Sequence, residues 1–156
     1  MSDMRPADVT ERDLYVTRAF DAPRDIVWRF FTEPELIAKW FGPDEYHVPV
    51  DTVSITGDVG GEWNLSMVDN ASGNAFPVRG VITQYEPPEY LEIRLDADTG
   101  VGALEDVVLR LRFHDHGEKT RVTLHQGPFN DLQREQTEAG WEESFVKLDG
   151  IFADRA

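Results

Sequence analysis

Two rhythms of hydrophobic and polar positions divide the chain. Between His47 and about Gln126, Trp63, Leu65 and Met67 alternate with Glu62, Asn64 and Ser66, and Leu91, Ile93 and Leu95 with Glu92 and Arg94. Val107, Leu109, Leu111 and Phe113 alternate in the same way with Arg110 and Arg112. A period of two predicts strands with one dry and one wet face. Gly60-Gly61, Gly73, Pro87-Pro88, Gly100-Val101-Gly102 and Gly117 separate these runs, so the region is predicted to be a meander of hairpins. From Asn130 to Phe152 the rhythm becomes helical: the segment lacks proline, Asn130 or Asp131 can cap it, and Trp141, Phe145, Leu148 and Phe152 share one face. Four large apolar side chains on one face of a helix need a sheet to bury them.

The first forty residues add smaller elements. Leu14 to Phe20 has strand character and ends at Asp21 and Pro23. Asp21 or Ala22 can cap a helix whose first position is Pro23 and whose face carries Ile26, Val27, Phe30 and Phe31. Thr32-Glu33-Pro34-Glu35 reads as a capping box opening a second helix with Leu36, Ile37, Trp40 and Phe41, which Gly42-Pro43 stops. Residues 1–12 are polar and read as a flexible N-terminal tail, leaving 13–156 as a single domain. At 156 residues the chain has the length of one domain, which buries roughly 70% of its unfolded surface.

Composition narrows the partners. A net charge of −15, from 30 acidic against 15 basic residues, repels phosphate backbones and anionic headgroups, so neither nucleic acid nor a membrane is the expected partner. With no cysteine, thiolate metal sites and cysteine nucleophiles are excluded. The N-terminus has no apolar core of a signal peptide and no stretch is long enough to span a bilayer, so a cytoplasmic location is expected.

The motifs resemble a known family. Arg18-Ala19-Phe20-Asp21-Ala22-Pro23, Val27-Trp28, Phe31-Thr32-Glu33-Pro34-Glu35 and Lys39-Trp40-Phe41-Gly42-Pro43 are similar to the N-terminal signature of the activator of heat-shock-protein-90 ATPase homologues. Gly60-Gly61-Glu62-Trp63, Glu86-Pro87-Pro88-Glu89-Tyr90-Leu91 and Gly140-Trp141 agree with its later motifs, in order, over roughly residues 13–153. The resemblance implies the START-like superfamily, related to polyketide cyclases and Bet v 1-like proteins. Its fold is α+β of the helix-grip kind: a curved antiparallel sheet around a long C-terminal helix, with two short N-terminal helices. It also implies a cavity between sheet and helix, without naming the occupant. The eukaryotic co-chaperone carries a large additional N-terminal domain, and only the 12-residue tail precedes the first strand here.

Candidate chemistry follows from this frame. Trp40, Phe41, Trp63, Met67, Trp141 and Phe145 are candidates for an apolar ligand-binding wall, and each also fits plain core. Arg79, if it faced inward, would hold a carboxylate or enolate, while an outward arginine would be solvated. His47, Glu62 and Arg79 are the acid–base candidates of an enzymatic reading, with His125 beside them, although alternation places Glu62 and Glu92 on the wet face. His114 and His116 project to one side of a strand, yet no third ligand accompanies them and a hairpin turn explains them, so no metal is expected. There is no phosphate loop, cofactor fingerprint or Ser-His-Asp spacing, and no cofactor is expected. The leading reading is therefore a binder of a small apolar or aromatic metabolite. Alternatives are an aromatase/cyclase- or hydrolase-type enzyme using the same cavity, and a co-chaperone-like interaction domain. A homodimer is left open.

Overall fold

The computed structural model describes residues 9–99 and 102–154. Strand β1 (Leu14–Phe20) leads into helix α1 (Arg24–Thr32) and the short α2 (Pro34–Ile37). Strand β2 (Tyr46–His47), a 3-10 turn at Val50–Thr52 and β3 (Ser54–Ile55) follow. Then come β4 (Trp63–Asp69), β5 (Ala75–Glu86), β6 (Tyr90–Thr99), β7 (Gly102–His116) and β8 (Lys119–Gly127), and α3 (Asp131–Asp154) closes the chain. All pairings are antiparallel, in the order β1-β8-β7-β6-β5-β4-β2, with β3 on β4 off this path. This is the helix-grip fold: the curled sheet carries its apolar face toward α3, with α1 and α2 beside it.

Alternation decides which face is buried. Trp63 and Leu65 are buried and Met67 half-buried on the helix side, while Glu62 is exposed. Leu91, Ile93 and Leu95 on β6, and Val107, Leu109, Leu111 and Phe113 on β7, are buried in the same core. Their register pairs Leu91 with Leu111 and Ile93 with Leu109, so one dry face runs across strands. A slip of one residue would turn every one of these side chains to water.

Two devices bend the sheet. Between Leu95 and Ala97 the β6–β7 register shifts; Asp106 takes φ 55° there, and its N–H donates to Oδ1 of Asp96 at 2.9 Å. Gly80 faces inward on β5, where a Cβ would come within 2.6 Å of Ile93 Cγ2 and 2.9 Å of the Trp63 carbonyl oxygen. Only glycine admits that approach.

Several expected boundaries move. Pro23 is the N-cap of α1, in extended geometry, rather than its first helical residue. The capping box does not form, because Thr32 still belongs to α1 and its hydroxyl donates back to the Trp28 carbonyl at 3.0 Å. Pro34 instead opens α2 from Glu33. Asn130 caps α3: its Oδ1 accepts the Gln133 N–H at 2.8 Å and the Gln133 side chain returns a bond at 3.1 Å. Residues 1–8 of the expected tail, and Gly100 and Val101 of the expected β6–β7 turn, lie outside the described residues. Residues 10–12 are exposed and make hydrogen bonds to the domain: Asp13 Oδ2 accepts the Thr10 N–H at 2.9 Å, and the Arg12 carbonyl accepts the Phe129 N–H at 2.8 Å.

Candidate functional site

The N-terminal half of α3 does not close on the sheet, and a cavity of about 330 Å³ lies between them. The helix offers small side chains there, Ala139 and Gly140, and the sheet opposes them with Ala97 beside the β6–β7 bulge. Met67, Phe76, Val78, Leu95 and Leu104 complete an apolar floor. Gln126 enters from β8, and Phe41, Gly42, Pro43 and Tyr46 form a third wall from the loop after α2.

That loop is fastened to α3. Ser144 Oγ accepts the Gly42 N–H at 3.0 Å and donates to the Gly140 carbonyl at 2.8 Å, while Glu143 Oε1 accepts the Asp44 N–H at 2.9 Å. Lys147 Nζ donates to the carbonyls of Gly42 and Pro43, each at 2.9 Å, and of Tyr46 at 3.3 Å. Burial pushes the Lys147 ammonium below its ordinary pKa, against the opposing pull of Asp44 and Glu143. Its three protons are occupied by backbone oxygens, which makes it a positioning residue. Gly42 takes φ +105°, a conformation that suits glycine, and lets the chain turn against Tyr46 and Met67.

Trp141 is the hinge between cavity and core. Its ring meets Phe41 edge-on at 5.4 Å and tilts against Phe145 at 5.5 Å, and its indole N–H donates to Gln126 Oε1 at 2.8 Å. Gln126, only 4% exposed, is one of the few buried polar side chains.

The sequence-derived candidates separate into three groups. Phe41, Met67 and Trp141 face the cavity. Trp40, Trp63 and Phe145 lie behind it as core: each is 1% exposed. The Trp40 indole donates to the Phe30 carbonyl at 2.9 Å and the Trp63 indole to the Phe31 carbonyl at 3.1 Å. Arg79 is a correction. It lies between inward Val78 and Gly80, so the pleat turns it to the exposed outer face, opposite Asp96, and it holds nothing in the cavity.

The acid–base candidates also lie elsewhere. His47 and Glu62 are exposed, and Glu92 on the outer face accepts the Tyr90 hydroxyl at 2.7 Å. His125 projects from β8 opposite to Gln126 and hydrogen-bonds Asp13 Oδ2 at 3.0 Å. Burial would raise the Asp13 carboxyl, but bonds from His125 and the Thr10 backbone outweigh it and hold the group below its ordinary range. His114 bonds Thr123 at 3.2 Å, and burial together with Arg121, Arg112 and His116 lowers its pKa. Among the described residues no group of three or more His, Asp or Glu side chains is placed to hold a metal ion.

Sequence reasoning missed Tyr46, Phe76, Ala97, Leu104 and Gln126. The signal for Gln126 was present: Thr120, Val122 and Leu124 are buried at alternate positions of β8, and Gln126 continues the series.

The same architecture recurs among known proteins. The family described as Activator of Hsp90 ATPase homolog 1-like protein matches residues 21–153. No curated protein matches the chain. The crystal structure of the AHSA1 protein from Silicibacter pomeroyi superimposes with a TM-score of 0.77 at 22% identity, covering 92% of this chain and 99% of that one. A protein of Chromobacterium violaceum gives 0.77 at 21% identity, covering 89% and 96%. One from Nitrosomonas europaea gives 0.75 at 25% identity, covering 93% and 96%. Among the described residues no helix is long and apolar enough to cross a membrane.

Proposed function

The chain belongs to the Activator of Hsp90 ATPase homolog 1-like family, and on that premise we propose that it binds a small, largely apolar or aromatic molecule between the sheet and α3. The observation that carries this reading is the cavity itself, about 330 Å³ with a mainly apolar wall, beside a core of buried apolar side chains. Burying ~200 Å² of apolar ligand surface at ~25 cal/mol per Å² gives ~5 kcal/mol, a dissociation constant in the sub-millimolar range. Any tighter binding has to come from a closer fit or from a polar contact. Binding is favoured over catalysis because the histidines that would serve as acid or base lie outside the cavity wall. Titrating 2-ethylnaphthalene against the protein while following tryptophan fluorescence tests the reading directly, since Trp141 borders the cavity. Saturable one-to-one quenching is expected, and native mass spectrometry of freshly purified protein should find a retained small molecule. An absence of saturable binding would overturn the reading.

A further inference from the structure

The orientation of the Gln126 amide is set by its neighbour. The Trp141 indole N–H donates and cannot accept, so the amide oxygen must face it, as the 2.8 Å contact shows. The NH₂ end then points the other way and has no hydrogen-bond partner among the described residues. No fully enclosed side-chain nitrogen or oxygen among them lacks a partner, so this NH₂ reaches open space, and the space Gln126 borders is the cavity. A residue 4% exposed thus offers a donor inside an apolar chamber.

Tyr46, Gln136 and Thr137 also line the chamber, but Gln136 is exposed and Tyr46 and Thr137 are only half-buried, whereas Gln126 is buried; the remaining polar groups around the chamber are engaged. Ser144 is bound on both sides by Gly42 and Gly140, Glu143 accepts the Asp44 N–H, and the Lys147 ammonium is spent on three carbonyls. No lysine or arginine lines the chamber among the described residues; its ionisable wall groups are Tyr46 and Glu143. A carboxylate entering here would lose its hydration, meet no counter-charge and face Glu143.

We propose that the cavity is selective for an uncharged, largely apolar molecule bearing a hydrogen-bond acceptor, a carbonyl oxygen above all, which receives the Gln126 Nε2 proton. This rests on the binding reading and names the chemistry of its ligand. An unpaired buried amide rewards an acceptor and gains nothing from a hydrocarbon, so the site discriminates between ligands of nearly equal shape.

The test compares 2-acetylnaphthalene, 2-ethylnaphthalene and 2-naphthoate. The ketone is expected to bind about fivefold tighter than the hydrocarbon, the ratio one neutral hydrogen bond supplies, and the carboxylate weaker than either. The Gln126→Met variant should lose the ketone preference, the ratio of ketone to hydrocarbon affinity falling to about one, and this ratio is the readout because Gln126 lines the cavity and holds Trp141. If that variant does not fold, the wild-type ratio decides, together with the side-chain amide resonances of Gln126, which should shift with the ketone and not with the hydrocarbon. Equal binding of ketone and hydrocarbon, a preference that survives in Gln126→Met, or tightest binding of the carboxylate would overturn the assignment and leave the binding reading intact. If neither neutral naphthalene binds, the binding reading fails and this proposal with it.

Discussion

The two halves of α3 meet the same sheet and end differently. Toward its C-terminus the helix presents Phe145, Leu148 and Phe152, each at most 2% exposed. Phe20 packs on Phe145 at 5.4 Å and Phe30 on Phe152 at 5.0 Å, while Phe31 lies edge-on to Trp40 at 4.8 Å and to Phe113 at 5.3 Å. Toward its N-terminus the helix presents Gln136, Thr137, Ala139 and Gly140 over Ala97 and Leu104, and a cavity remains. α1 supplies aromatic filler at the closed end, Phe30 against Phe152 and Phe31 against Phe113. A bent sheet and a straight helix diverge, and the chain fills the divergence where stability is needed and leaves it open where a ligand would fit.

The largest effect is expected at the filled end. Phe31→Ala removes a ring that is fully buried between two aromatic partners and should cost about 3–5 kcal/mol, measured by urea unfolding. A loss under about 1 kcal/mol would mean that the filled end is packed more loosely than described. Trp141→Ala sits at the boundary. Part of the indole already faces the cavity, so the cost should be about 2–3 kcal/mol, and naphthalene binding should weaken by more than stability does. A cost equal to that at Phe31 with unchanged binding would make Trp141 plain core.

The contrast was unevenly legible in the sequence. The filled end announced itself, because period-two alternation and the spacing of Trp141, Phe145, Leu148 and Phe152 are statements about which face meets the core. Its helix starts were misplaced by a residue or two, since Pro23 and Thr32 are compatible with more than one capping geometry. The open end was legible only through resemblance. A cavity is made by the absence of side chains, and Ala97 and Gly140 carry no pattern that distinguishes them from ordinary small residues. Large aromatics therefore attracted the site assignment, and Trp40, Trp63 and Phe145 proved to be core. Arg79 drew attention by its charge, although the pleat alone assigns it to the outer face.

The root of the open end is held from outside the sheet. Asp13 binds His125 and the Thr10 N–H, and the adjoining Arg12 carbonyl anchors Phe129 just ahead of α3. Because the folded carboxyl lies below its ordinary range, the unfolded chain takes up the proton first as pH falls. The stabilisation is complete above roughly pH 4 and is lost as pH drops through the lowered folded value. Asp13→Asn should cost about 1–2 kcal/mol at neutral pH and flatten this acid dependence. Hydrogen exchange should quicken at the start of α3 before it does around Phe152. Uniform quickening along the helix would show that the two ends are not separable.

The smallest effect sharpens the comparison most, because it uses the same substitution at both ends. Gly140 and Gly150 both lie within α3, where glycine costs a helix roughly 0.5–1 kcal/mol relative to alanine. A Cβ on Gly140 would meet only Pro43 Cγ at 3.5 Å, an ordinary contact at the cavity wall, and one on Gly150 would meet nothing within 4 Å. Each Gly→Ala change should therefore stabilise the fold by that same small amount in thermal or urea unfolding. Their effects on binding should part. Gly140→Ala places a methyl group beside the ligand space and should weaken 2-ethylnaphthalene binding severalfold, while Gly150→Ala leaves it unchanged. A gain in stability without a loss in affinity at Gly140 would detach the helix from the cavity wall, whereas opposite signs in one variant identify a glycine kept for room rather than for folding.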